Sequence, residues 1–71
     1  MNTATDKQRA VLDFIKTFQI EKGYPPTRSE ISAHFGFKSD NSAHDHLQRL
    51  VKKGAIEITR GVSRGIKVLA P

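Results

Sequence analysis

A mainly α-helical fold closed by a small β-hairpin is what this sequence predicts, and three observations carry the prediction. Apolar residues recur at helical spacing in three separate stretches, each opened by capping residues and closed by a glycine. The second and third stretches are separated by only four residues. After Gly54 the apolar period changes from 3.6 to 2 on both sides of a glycine-containing turn.

The first helix is expected over about residues 6–22. Thr5 and Gln8 have capping-box spacing, in which each side chain satisfies an unpaired N–H at a helix start. Val11, Phe14, Ile15 and Phe18 then fall at i, i+3, i+4 and i+7, one apolar stripe. Gly23 offers a left-handed stop, and Tyr24-Pro25-Pro26 forces an extended connection.

Thr27-Arg28-Ser29-Glu30 is a second capping box and opens a short helix over about 28–35. Ile31 and Phe35 share its buried face, and Gly36 closes it. Gly36-Phe37-Lys38-Ser39 is the turn to the third helix, expected over about 40–53, which either Ser39 or Asp40 can cap. Ala43, Leu47, Leu50 and Val51 form its inward stripe, and Gly54 ends it.

Ala55-Ile56-Glu57-Ile58-Thr59 and Gly65-Ile66-Lys67-Val68 alternate, so strands are expected at about 55–59 and 65–69. Ile56, Ile58, Ile66 and Val68 should face the core. Arg60-Gly61-Val62-Ser63-Arg64 makes the turn, with Arg60 and Arg64 at the tip and Gly61 and Gly65 permitting close approach to a phosphate. Helix, tight turn, helix is the helix-turn-helix pattern. A preceding helix completes a three-helix core, and a two-stranded antiparallel hairpin behind it is a wing. The pattern is that of a winged helix-turn-helix.

All 71 residues read as one domain, because a chain this short buries only about 60% of its unfolded surface and has room for a single core. It has no cysteine, hence no disulfide and no thiolate zinc site, which suits a reducing cytosol. The N-terminus carries no apolar run that reads as a signal peptide or membrane span. The expected location is inside the cell, in solution, with no membrane partner.

The formal net charge is +5, and it is concentrated in the second half. Residues 1–37 carry five basic and four acidic side chains, whereas residues 38–71 carry seven basic and three acidic. A basic half on a folded domain is the electrostatic footprint of a polyanion binder. With the third helix in a major groove, its outward face would meet base edges. Asn41, His44, Asp45 and Gln48 stand at i, i+3, i+4 and i+7 on that face, with Ser42 beside them. Asn bonds bidentately to adenine, Asp accepts from cytosine N4–H, and Ser pairs with several edges. His44 can donate to guanine or meet a phosphate. Lys38, Lys52, Lys53, Arg60 and Arg64 would contact the DNA backbone, with Arg60 and Arg64 ranked above the mid-strand Lys67. Arg28, in the first turn of the second helix, is a further backbone candidate, helped by the helix dipole.

Gly23-Tyr24-Pro25-Pro26-Thr27-Arg28-Ser29-Glu30-Ile31, Phe35-Gly36-Phe37-Lys38-Ser39, Lys53-Gly54-Ala55-Ile56-Glu57-Ile58 and Ser63-Arg64-Gly65-Ile66 occur in this order. Together they closely resemble the N-terminal domain of the LexA SOS repressors, from about Thr5 to Leu69. The resemblance implies a winged helix-turn-helix that occupies operators of DNA-repair genes as a dimer and represses their transcription. It also implies base reading by the start of the third helix, at Ser39, Asn41, Ser42, His44 and Asp45, on operators built from CTGT half-sites. Enterobacterial members carry two glutamates where this chain has His44 and Asp45, so its base preference is expected to differ. Members of the family continue into a dimerising, self-cleaving domain with a Ser-Lys pair. Pro71 falls about where the linker to that domain begins, so the chain is expected to be either a domain cut from a repressor or a free-standing phage or plasmid relative. Self-cleavage cannot occur within these residues.

Two other classes compete. An enzyme would need convergent groups, but His44, Asp45 and His46 point about 100° apart on a helix and cannot meet on one ion. His46 is expected to pack half-buried, and His34 to lie on the surface. Ser63 has no base placed near it. No catalytic residue, metal site, cofactor or small-molecule substrate is expected. The live alternative is a protein-interaction module, or a small regulator that pairs with a full-length repressor or competes for its operator. The isolated domain is expected to be a monomer that dimerises on DNA or through a missing C-terminal domain.

Overall fold

The computed structural model describes residues 6–69, and Thr5 of the first expected capping box lies outside them. Three helices, α1 (Asp6–Lys22), α2 (Arg28–Phe35) and α3 (Asp40–Lys52), precede two strands, β1 (Ile56–Ile58) and β2 (Ile66–Val68). The strands pair antiparallel, Ile56 opposite Val68 and Ile58 opposite Ile66. Each strand is shorter than its alternating run. Pairing nonetheless continues one residue beyond, through Leu69 N–H to Ala55 C=O at 2.8 Å and Thr59 N–H to Gly65 C=O at 2.9 Å.

One core holds the elements together. Val11 and Ile15 from α1, Ile31 from α2, Ala43, Leu47 and Leu50 from α3, and Ile56 and Ile66 from the hairpin are all buried. Every element therefore contributes its apolar stripe, which is how a chain of this size excludes water from a single centre. Phe14, Phe35, Phe37, Val51, Ile58 and Val68 pack half-buried around it. The aromatic margin is continuous. Phe35 stacks on Phe37 with centroids 5.5 Å apart, and Phe37 on His46 at 5.2 Å. Exposed His34 stacks on Phe14 at 4.1 Å, so it is a surface residue with one covered face.

The α2–α3 turn is fixed by hydrogen bonds as well as by packing. Thr27 Oγ1 accepts from the Glu30 N–H at 3.1 Å, and Glu30 Oε1 accepts from the Thr27 N–H at 2.9 Å, closing the capping box. Gly36 ends α2 at φ +68°, in the left-handed region that glycine enters without a Cβ penalty. Ser39 occupies the N-cap of α3, but its side chain makes no capping bond. Its carbonyl accepts from Ser32 Oγ at 3.2 Å, and Asp40 accepts from Ser29 Oγ at 2.7 Å. Two α2 hydroxyls thus tie down the start of α3.

Candidate nucleic-acid interface

The outward face of α3 follows from what its inward face buries. With Ala43, Leu47 and Leu50 in the core, a rotation of about 100° per residue puts Asn41, Asp45, Gln48 and Lys52 opposite them. All four are exposed, as are Ser39 and His44, while Ser42 is half-buried at the edge of the stripe. Five of the six candidate base readers are therefore open to a groove. Lys52, assigned to the DNA backbone from sequence, lies in line with the readers at the far end of the helix.

Two candidate readers carry a neighbour. Asp45 is 3.5 Å from Arg49 Nη2, one turn on, with both side chains more than half exposed. Such a pair holds by only about 0.3–0.5 kcal/mol, so it ties the carboxylate down weakly. His44 Nδ1 lies 3.3 Å from Arg28 Nη1, at the start of α2. An open groove runs between α3 and the hairpin, lined by Arg28, His44, Gln48 and Val51 on one side and by Ile58 and Arg60 on the other. It brings backbone candidates from α2 and the hairpin alongside the reading stripe. Lys38, in the α2–α3 turn, is exposed as well.

Three of the sequence readings meet surroundings that the pattern does not show. Arg64 is not presented at the hairpin tip. Its guanidinium donates to both Glu30 carboxylate oxygens, at 2.7 and 2.9 Å, and to the Pro25 carbonyl at 2.9 Å. It also lies over the Tyr24 ring, 4.5 Å from the centroid. A carboxylate, a carbonyl and an aromatic face outbid solvent for one planar cation, so Arg64 anchors the hairpin to the start of α2. Lys53 is also engaged, donating from Nζ to Gln8 Oε1 of α1 at 3.0 Å. Gln8, read from sequence as a capping residue, is buried under that contact. Third, Gly65 leaves no space for a phosphate. A Cβ there would stand 2.7 Å from the Thr59 carbonyl oxygen, so the hairpin's own backbone fills the space. Arg60 and Gly61 remain exposed at the tip.

Electrostatics follow the Arg64 clamp. The Arg64 hydrogen bonds, and after them the Thr27 N–H, lower the Glu30 pKa from 4.5 to about 2, and the same pairing raises that of Arg64. Glu30 and Arg64 lie 34 positions apart, so no local pattern could have disclosed the pair. Ser29 and Ser32 were likewise silent in sequence, where they read only as helix residues.

Among the described residues, no group of three His, Asp or Glu side chains is placed to hold a metal ion. No described helix is long and apolar enough to cross a membrane.

The family model for the LexA DNA binding domain matches residues 1–65. The LexA repressor of Halorhodospira halophila is 53% identical over 68 residues, covering 96% of this chain and 30% of the repressor. That of Pseudoalteromonas atlantica is 54% identical over 71 residues, covering 100% of this chain and 34% of the repressor. That of Bordetella pertussis is 49% identical over 67 residues, 94% of this chain and 31% of the repressor. The chain thus spans about a third of the length of the curated relatives it matches.

Proposed function

The chain belongs to the LexA DNA binding domain family, and on that premise we propose that it binds double-stranded DNA sequence-specifically, as the operator-reading part of a transcriptional repressor. The observation that carries this reading is the outward stripe of α3, where Asn41, His44, Asp45 and Gln48 stand exposed beside a basic groove. With α3 in the major groove, Ser39, Asn41, Ser42, His44, Asp45 and Gln48 read base edges. Arg28, Lys38, Lys52 and Arg60 contact the sugar-phosphate backbone and set affinity and register without reading sequence. Lys53, exposed at the end of α3, belongs with these backbone contacts, while Arg64 positions the hairpin. Repression is of the SOS type, on operators of DNA-damage genes, and needs no cofactor.

The chain alone is a monomer in this reading, and two copies gain affinity by occupying two half-sites together. Sedimentation showing a dimer independent of concentration would contradict that.

NMR titration with two short duplexes, one carrying a CTGT half-site and one scrambled, tests the whole reading. Shifts concentrated at residues 39–48 and at Arg60, stronger with the half-site, are expected. Equal, salt-sensitive shifts with both would leave DNA binding standing and remove that half-site as the target. No shifts at low salt would overturn the reading in favour of a protein-interaction role.

A further inference from the structure

Resting on the DNA-reading face just described, we propose that Arg28 is a positioning residue for His44, and that the pair selects guanine at one position of the bound site. Arg28 Nη1 lies 3.3 Å from His44 Nδ1. A guanidinium has five N–H donors and no acceptor, so Nδ1 is the acceptor in this contact and carries no hydrogen. A neutral imidazole then bears its hydrogen on Nε2, on the side of the ring away from Arg28. Of the two ring nitrogens, only the donor is left free for DNA.

The contact is held in place by its surroundings. Arg28 opens α2 and His44 sits one turn into α3. The same junction is crossed by Ser29 Oγ to Asp40 at 2.7 Å and by Ser32 Oγ to the Ser39 carbonyl at 3.2 Å. Separating the helix starts would break both bonds, so the backbones that carry Arg28 and His44 keep a spacing at which the guanidinium reaches the ring. Its remaining N–H groups are free to meet a phosphate. A single residue can therefore touch the backbone and orient a reader.

The choice of base follows from the free Nε2–H. Guanine presents two adjacent acceptors, O6 and N7, in the major groove, where adenine sets its N7 acceptor beside an amino donor, thymine offers O4 alone beside a methyl group, and cytosine presents only the N4 amino donor. A donor facing a donor leaves both groups unpaired, which rejects that base strongly. A carboxylate at position 44, able only to accept, would make the opposite choice.

Two measurements on the 71-residue chain test the proposal. In selection from a pool of randomised duplexes, the wild type should enrich guanine at one position. His44→Ala should lose that preference by about tenfold, the worth of one base contact. Arg28→Met should lose it at the same position by a similar factor and leave preferences elsewhere intact, while Arg28→Lys, which keeps a donor, restores most of it. The double variant should be no worse there than His44→Ala. In 15N spectra at pH 8, where a free imidazole is neutral, His44 Nδ1 should resonate as an unprotonated acceptor. Arg28→Met should move it toward the average of two exchanging tautomers.

An Arg28→Met variant that binds all sequences more weakly, with its guanine preference intact, would overturn the positioning role and leave Arg28 a phosphate contact. So would a wild-type Nδ1 that carries the hydrogen. Failure of the wild type to enrich any sequence would overturn the DNA-reading face beneath the proposal, and is recognised before any variant is made.

Discussion

Arg64 grips both oxygens of Glu30, at 2.7 and 2.9 Å, and so joins the second strand's approach to the first turn of α2. The carboxylate it holds is the one that closes the α2 capping box. A cap and a tertiary anchor share one side chain. More than a third of each partner remains exposed, so water and salt screen the pair, and its effect on stability is smaller than the lowered pKa alone implies.

Acid should release this anchor. Glu30 has its pKa lowered in the fold, from 4.5 to about 2, so its contribution is fully present above pH 4.5 and fades as pH falls toward 2. Urea melts of the wild type and Glu30→Gln between pH 6 and pH 2 check this. The wild type's advantage should shrink across that window, and an advantage constant with pH would show that the pair does not titrate with folding.

The two hairpin arginines should separate on substitution. Arg60→Ala should weaken binding to every sequence alike and reduce the salt slope by about 1, the signature of one lost phosphate contact. Arg64→Ala should instead speed amide exchange through residues 59–65 in the free protein. Anisotropy titrations at several salt concentrations, with exchange measured alongside, distinguish them. Equal salt-slope changes for both would place Arg64 on DNA.

Asn41→Ala should relax base preference. Its loss on the preferred duplex should be about 1–3 kcal/mol, with little change on random DNA. Equal losses on both would take Asn41 out of the reading set.

Gly36 and Gly65 should fail for different reasons. Gly36→Ala puts a Cβ into a left-handed position with open space around it, costing about 1–2 kcal/mol of global stability. Gly65→Ala puts a Cβ 2.7 Å from the Thr59 carbonyl, so the hairpin turn must deform. Chemical-shift changes should be confined near the α2–α3 turn in the first variant and spread over residues 59–66 in the second.

Much of the fold was legible because its signals are local. The Thr27 to Glu30 box, Gly36 and the change of period after Gly54 each lie within a few residues, and each element forms as those signals indicate. The outward stripe of α3 could be read for the same reason, since burying Ala43, Leu47 and Leu50 fixes what lies opposite. The neighbours that the pattern could not show for two of its cations are long-range. Arg64 finds Glu30 across 34 positions, and Lys53 finds Gln8 across 45. A cation in a turn or at a helix end reads as free until the fold supplies a partner. His44 falls between the two cases, its exposure legible and its neighbour 16 positions away not.

Mechanically, the hairpin is a short cantilever. Arg64 bolts it to α2, and the Thr59 N–H to Gly65 C=O bond at 2.9 Å closes the turn beside the clamp. Only residues 60–63 project past the clamp, all of them exposed. The overhang therefore sets how far Arg60 can extend, whereas the clamp sets its bearing. Residues inserted between Gly61 and Ser63 would lengthen the arm without changing where it points, which makes that tip the natural place to tune the span of DNA the domain covers.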